Sequence, residues 1–130
     1  MSKTIIIEGK NFNDIPSFYE EINRVFMQEV DWKLGQSLDA LNDMFYGGFG
    51  LIEGKEPIKL IWKNFKQSEQ DFGKELTRDY YLEKLKQPEK FNKEVFQKRL
   101  EALERGEGKT YFEIILEIIE GHPNIELVPE

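Results

Sequence analysis

The chain has no cysteine among its 130 residues, which excludes disulfide bonds and thiolate metal sites. It has a single histidine, His122, and most acid–base mechanisms that depend on an imidazole are therefore disfavoured. No apolar run reaches membrane-spanning length, and the apolar run near the N-terminus is too short for a signal peptide. These absences predict a soluble cytoplasmic protein.

Positive charge is also in short supply. Lys and Arg number 18 against 25 Asp and Glu, which gives a formal charge of −7. Nucleic acid and anionic membranes are disfavoured as direct partners because both would repel such a surface. The charge favours a basic protein partner, although solubility alone also explains a charge of this size. A hydrophobic content of 39% is sufficient for one folded domain over residues 1–130.

Residues 34–54 contain no Lys, Arg or His, and they hold the clearest helix signal in the chain. Ser37 can cap a helix through its hydroxyl group, and the glycine pair at 47–48 can end it. Apolar residues recur between these limits at three- and four-residue steps: Leu38, Leu41 and Phe45. Asp39 and Asp43 stand four apart, so both carboxylates lie on one helix face without a local counter-charge. We call this pair the acidic ridge, and we predict that it binds a basic partner.

The two acids also have simpler explanations. Asp39 could complement the helix dipole from the first turn, and Asp43 could be a solvated surface charge. The pair could alternatively bind a divalent cation or serve a glycosidase-like mechanism, as in a carboxylate-based metal-binding enzyme. Four-residue spacing on an outer helix face, however, provides neither a pocket nor an evident third ligand.

The rest of the chain alternates between strand and helix patterns. Three apolar segments bounded by turn residues predict strands: residues 4–8, 57–62 and 124–128. Four segments with helical spacing predict further helices: residues 17–29, 63–87, 91–105 and 111–120. Asp14 or Ser17 is expected to cap the first of these and Thr110 the last. The alternation predicts an α/β fold in which helices pack on a small parallel three-stranded sheet.

Other residues are assigned by their positions in these elements. The isoleucine-rich run at 4–8 predicts a strand that is buried on both faces. Trp62 ends a strand and is expected in the core, as is the pair Tyr80–Tyr81, whereas Trp32 lies in a loop beside the acidic ridge and suits an interface anchor. His122 is expected to be structural because it stands at a helix exit before proline.

Two separate patches of sequence resemble the barstar family of intracellular ribonuclease inhibitors. Residues 35–43, Gly-Gln-Ser-Leu-Asp-Ala-Leu-Asn-Asp, are similar to the family signature Gly-x-Asn-Leu-Asp-Ala-Leu-x-Asp. Residues 57–68 look like the family's second strand and the turn after it, and the closing helix, glycine and strand follow in the family's order. Residues 71–109 look like a helical insertion before the last helix and strand.

The resemblance implies a barstar-like α/β fold without catalytic activity or a cofactor. It also implies that the signature helix and its preceding loop plug the active site of a basic ribonuclease in a one-to-one complex. Ribonuclease active sites gather Arg, Lys and His around a phosphate, so rigid carboxylates can pair with the same groups. Opposite electrostatic fields steer such encounters, and the barnase–barstar pair is itself the standard example.

By position, the resemblance makes Asp43 the acid that enters the catalytic centre and Asp39 its neighbour. The further partner-binding candidates are Asn42, Trp32, Tyr46 and Glu117. Asn42 stands where the family commonly has an aromatic residue, and a glycine replaces an aromatic residue just after the helix. These departures favour a target other than a barnase relative, such as the ribonuclease toxin domain of an interbacterial competition system, with this chain as the immunity protein. A non-inhibitory cytoplasmic interaction module of the same fold is the open alternative.

Overall fold

The computed structural model describes residues 3–130. Within them, three parallel strands form one sheet with β2 in the centre: β1 (Lys3–Glu8), β2 (Ile58–Lys63) and β3 (Ile125–Pro129). Six α-helices accompany the sheet in the same residues: α1 (Ile15–Phe26), α2 (Leu38–Phe45), α3 (Phe65–Asp71), α4 (Lys74–Leu85), α5 (Lys93–Glu104) and α6 (Tyr111–Glu120). The predicted α/β fold with a parallel three-stranded sheet is confirmed.

The sheet buries one face and leaves the other in solvent. Ile5 and Ile7 of β1 are buried, whereas Ile6 between them is 45% exposed. β2 alternates in the same way, with Leu60 and Trp62 buried. The prediction that residues 4–8 are buried on both faces is therefore wrong. Successive side chains of a strand point to opposite faces, and packing covers only one face of this strand.

Aromatic side chains fill the core beneath the covered face. Trp62 is fully buried, and its indole Nε1–H donates a hydrogen bond to Ser68 Oγ at 3.0 Å. Its ring lies 5.5 Å from that of Phe112, between centroids, so the central strand contacts α6 directly. Tyr81 is buried and Tyr80 packs on the core. The expected core positions of Trp62 and the tyrosine pair are confirmed.

Helix α1 begins two residues earlier than predicted because Asp14, and not Ser17, is its N-cap. Asp14 Oδ1 accepts the Ser17 N–H at 2.9 Å, and Ser17 Oγ accepts the Asp14 N–H at 3.2 Å. This reciprocal arrangement is a capping box, in which the third helical residue supplies the second acceptor. Thr110 and Glu113 form the same arrangement at α6, where the predicted cap is confirmed.

The single helix predicted over residues 63–87 is instead two helices, α3 and α4. The chain leaves the helical conformation at Phe72, whose side chain is fully buried in the core. The Phe72 carbonyl accepts the Phe112 N–H at 3.2 Å instead of continuing the helix, and Gly73 begins α4 from an extended conformation. Helix α1 also ends three residues earlier than predicted, α6 has the predicted bounds, and the bounds of α5 and of the three strands differ from the predicted ones by one or two residues.

Helices α4 and α5 pack against each other, and we call residues 74–104 the α4–α5 hairpin. Its first helix is tied to α6 through Thr77, a buried residue. The Thr77 hydroxyl donates to the Gly73 carbonyl at 2.8 Å and accepts the Tyr111 N–H at 2.7 Å. The second helix contributes Leu103 to the buried set and otherwise lies largely in solvent. The hairpin is thus fixed to the core by α4.

Replacing Thr77 with Val should destabilise the fold by about 1–2 kcal/mol, because the buried Tyr111 N–H would lose its acceptor. Thr77→Ser keeps the hydroxyl group and should retain most of the stability. The free energy of unfolding in urea measures both effects. Equal losses in the two variants would show that the hydroxyl group contributes little.

Candidate protein-binding site

Helix α2 forms as the sequence predicted. The Ser37 hydroxyl accepts the Ala40 N–H at 3.3 Å and caps the helix at its start. The chain turns away after Tyr46 through Gly47, which has a φ of +84°. A Cβ atom at Gly47 would overlap the backbone of Gly54 and would also be strained at this φ, so glycine is required there. The predicted cap and stop are both confirmed.

The inner face of α2 is anchored in the core, and its outer face carries the acidic ridge. Leu41, Met44 and Phe45 are buried, whereas Asp39 and Asp43 are exposed. Within residues 3–130, neither carboxylate has a Lys, Arg or His nitrogen within 4.0 Å. Two unneutralised carboxylates therefore stand in solvent on a well-anchored helix. Asp39 also lies in the first turn of α2, where the helix dipole favours an acid.

The loop before α2 is held to α1 by one side chain. Asn23 Oδ1 accepts the Leu34 N–H at 2.7 Å, and Asn23 Nδ2 donates to the Leu34 carbonyl at 3.2 Å. Leu34 is buried, which fixes the end of the loop in front of α2. Trp32 in this loop is 47% exposed and lies 4.9 Å from Phe49, between ring centroids. The predicted anchor residue is thus a supported aromatic ring in solvent.

The single histidine contacts the end of α2 and the residue after it. His122 is buried, and its Nε2 lies 2.8 Å from Asn42 Oδ1. When Nε2 carries the proton, it donates a hydrogen bond to this oxygen. The imidazole also meets the ring of Tyr46 edge-on, with 4.6 Å between centroids. Tyr46 itself is 60% exposed. His122 therefore ties the half-buried Asn42 and the exposed Tyr46 to the turn between α6 and β3, which fits its expected structural role.

Burial lowers the pKa of His122 below its usual value, since the charged imidazole would lose hydration. Above pH 6.5 the imidazole is neutral in both the folded and the unfolded state. As the pH falls below about 6.5, the unfolded state takes up a proton first, so stability should decrease until the folded pKa is reached. Urea unfolding at pH 7.5 and 5.5 should show this decrease, and His122→Gln should lessen it. An equal decrease in both proteins would contradict the assignment.

A groove of about 580 Å³ lies between α2, the α4–α5 hairpin and α6. Asp39, Asn42 and Glu117 line it, so the structure brings three of the six predicted binding residues together. Glu117 accepts a hydrogen bond from the Lys109 ammonium group in an ion pair. It is therefore an exposed acid that already has a cation, in contrast to Asp39 and Asp43.

The other three predicted residues lie outside this groove. Asp43 and Tyr46 continue the exposed face of α2, and Trp32 lines a separate cavity of about 590 Å³ beside α1. Two basic residues of the groove, Arg99 and Lys109, were missed by the sequence analysis. They are distant from α2 along the chain, and no local motif indicates that they meet it. Within residues 3–130, no group of three or more His, Cys, Asp or Glu residues is placed to hold a metal ion.

None of the helices in residues 3–130 is both long and apolar enough to cross a lipid bilayer. Comparison with curated proteins finds no match. The family model described as "Barstar (barnase inhibitor)" matches residues 2–121, which is most of the chain and includes α2 and the α4–α5 hairpin. That family consists of ribonuclease-binding inhibitors and is not one of enzymes. With its parallel three-stranded sheet and its capped acidic helix, this chain belongs to the barstar family.

Proposed function

We propose that this chain inhibits a basic ribonuclease in the cytoplasm by inserting the acidic ridge into the enzyme's active site. The observation that carries the proposal is the state of Asp39 and Asp43: both are exposed on an anchored helix, and no Lys, Arg or His nitrogen of residues 3–130 lies within 4.0 Å of either carboxylate. Carboxylates of this kind can accept hydrogen bonds from the Arg, Lys and His side chains that bind a substrate phosphate. No catalytic step by the inhibitor is needed.

The formal charge of −7 supports this proposal, because it would increase the rate of association with a basic enzyme. A ribonuclease that binds RNA presents a positive surface, and opposite fields accelerate association. Within residues 3–130, seven of the 18 Lys and Arg side chains form ion pairs with Asp or Glu, as with Lys3 and Glu56 or Arg78 and Glu104. Helix α2 itself carries no base, and the two bases that line the groove beside it, Arg99 and Lys109, come from other parts of the chain.

Polar and aromatic side chains around the ridge complete the proposed contact surface. Trp32 and Tyr46 are exposed rings with internal support, the kind of residue that often contributes most to binding at protein interfaces. Asn42 is held by His122 and offers an amide beside Asp43. Glu117 adds an acid from α6 once a partner cation competes with Lys109 for it.

The proposed complex contains one inhibitor and one ribonuclease, since a single ridge fills a single active site. The proposed target class is a ribonuclease toxin domain, and the chain would then act as its immunity protein. Asn42 and the glycine just after the helix support a target that differs from barnase, because both replace aromatic residues of the family pattern.

Titration of ribonuclease activity tests this function. The panel would contain barnase, other basic microbial ribonucleases, ribonuclease toxin domains and any ribonuclease encoded beside this chain's gene. Cleavage of a fluorogenic RNA is measured as the inhibitor is added. We expect complete inhibition of at least one enzyme at an equimolar amount of inhibitor. Unchanged activity of every enzyme at a large molar excess of the chain would overturn the proposed function.

A further inference from the structure

The groove beside the acidic ridge has walls from different parts of the chain. Asp39 and Asn42 of α2 form one side, and Arg99 and Ala102 of the α4–α5 hairpin form another. Its floor is apolar and consists of Leu38, Tyr81, Ile114 and Ile118. The hairpin therefore converts the flank of α2 from a free surface into a walled groove that opens to solvent.

Two charged side chains of opposite sign, Arg99 and Asp39, face this groove and form no ion pair with any residue from 3 to 130. Arg99 is exposed, and within residues 3–130 it has no carboxylate within 4.0 Å. Its guanidinium carbon lies 5.5 Å from the ring centre of Phe96, which supports the side chain along one face. In the same residues Asp39 has no ion-pair partner either, whereas Lys109 and Glu117 neutralise each other. As far as the described part of the chain goes, the groove thus offers one unpaired cation and one unpaired anion.

The floor between these charges suits an apolar side chain. Tyr81 is buried, and burial raises the pKa of its hydroxyl group, so the ring is neutral at physiological pH. Ile114 and Ile118 are partly buried on α6 and leave aliphatic surface in the groove. A side chain placed there would lose water-exposed apolar area without displacing a charged group.

We propose that this groove binds a surface loop of the inhibited ribonuclease, one that places an apolar side chain on the floor, a basic side chain at Asp39 and an acidic side chain at Arg99. The proposal rests on the proposed function and adds to it that the α4–α5 hairpin is a second contact surface that selects among ribonucleases. Asp39 belongs to both the ridge and the groove. An enzyme seated on the ridge therefore stands over the mouth of the groove.

Charge complementarity favours a ribonuclease loop over a second copy of this chain. Two copies, each with a formal charge of −7, repel each other, whereas a basic enzyme is attracted. An acidic residue on the enzyme, next to its basic ones, would form an ion pair with Arg99. This ion pair would discriminate between ribonucleases, because an enzyme that lacks the acidic residue leaves the Arg99 guanidinium without a counter-charge.

Arg99→Glu tests the proposal, because the groove and the general attraction between the proteins predict opposite changes in affinity. The affinity measured is that for the ribonuclease that the chain inhibits. Added negative charge on the inhibitor should strengthen the general attraction to a basic enzyme, but it would repel an acidic side chain at the groove. We expect the Kd to rise by about tenfold or more. Lys98→Glu changes the charge equally on the same helix, in an exposed ion pair with Glu94, and should leave the Kd unchanged or lower it.

Hydrogen exchange of the unmodified chain provides a second readout. Amides of residues 96–109 should gain protection when the ribonuclease binds, and protection in the free chain should not depend on its concentration. The groove proposal would be overturned if the Arg99→Glu variant binds the ribonuclease with a Kd at or below that of the unmodified chain. It would also be overturned if the amides of residues 96–109 gain no protection when the ribonuclease binds. Protection that depends on the concentration of the free chain would also overturn it, because it would indicate that a second copy occupies the groove.

The two proposals can fail separately. If the groove tests fail but Asp43→Ala still weakens binding, the proposed function stands without the groove. If no ribonuclease is inhibited, both proposals are wrong.

Discussion

Asp43→Ala should weaken binding to the ribonuclease partner by about 2–5 kcal/mol, the usual cost of truncating a buried interfacial charge pair, a range drawn in part from barnase–barstar itself. The loss arises because the enzyme's phosphate-binding cations would be desolvated without a counter-charge. Asp43 is exposed and forms no ion pair with the described residues 3–130, so its removal should leave the fold intact. Calorimetric titration against the inhibited ribonuclease measures the change.

Asp39→Ala tests whether the ridge acts as a pair. It should also reduce affinity, and the salt dependence of association should become weaker in both variants. Glu69→Ala is a matched control, because Glu69 is an exposed helical acid that lies on α3. The control should change the binding free energy by less than about 0.5 kcal/mol. Losses below about 0.5 kcal/mol for both Asp39 and Asp43 would leave the proposed site without support.

Glu21→Gln should lower the free energy of unfolding by about 3 kcal/mol at neutral pH, since several charge-assisted hydrogen bonds are lost together. Glu21 is a buried acid that accepts hydrogen bonds from Arg24 Nε at 2.7 Å, Arg24 Nη2 at 2.8 Å, the Glu8 N–H at 2.9 Å and Asn11 Nδ2 at 3.0 Å. These bonds join the end of β1 to α1. An amide supplies one acceptor oxygen and faces the remaining donors with an NH₂ group.

The pH dependence distinguishes this mechanism from a packing defect. Burial alone would raise the pKa of Glu21, but the hydrogen bonds from Arg24, the Glu8 backbone and Asn11 outweigh it and hold the pKa below its usual value. The stabilisation is therefore present above pH 4.5 and is lost as the pH falls through the lower, folded pKa. The difference between Glu21→Gln and the unmodified chain should shrink in acid. Glu20→Gln, an exposed neighbour, should change stability by less than about 0.5 kcal/mol at either pH.

Local signals in the sequence were sufficient for α2 and for the start of α6. Ser37, Gly47 and Thr110 act through atoms within a few residues of themselves, so their residue types and spacing predict the structure. The burial of Trp62 was also predictable, because it ends an apolar segment that has the pattern of a strand. The family signature lies in this same well-predicted region, and the placement of Asp39 and Asp43 on one helix face followed from their four-residue spacing.

Features that depend on distant contacts were not predictable. The isoleucine run of β1 carries no alternation, so the exposure of Ile6 depends on which face the helices cover. The break between α3 and α4 reflects the burial of Phe72 against α6. The ion pair of Glu117 with Lys109 and the approach of Arg99 to α2 both depend on how the hairpin packs. That residues 71–109 are an insertion and that residues 1–130 form one domain stay predictions.

The central claim is that the carboxylates of α2 take the places of substrate phosphates in a ribonuclease active site. Competition with a mononucleotide tests this most directly: the Kd of the chain for the inhibited ribonuclease is measured by calorimetry at increasing mononucleotide concentration. If the claim is correct, the apparent Kd rises in proportion to the nucleotide once the active site is occupied, and Asp43→Ala lessens the competition. An unchanged Kd with the nucleotide bound would place the inhibitor away from the phosphate site and contradict the claim.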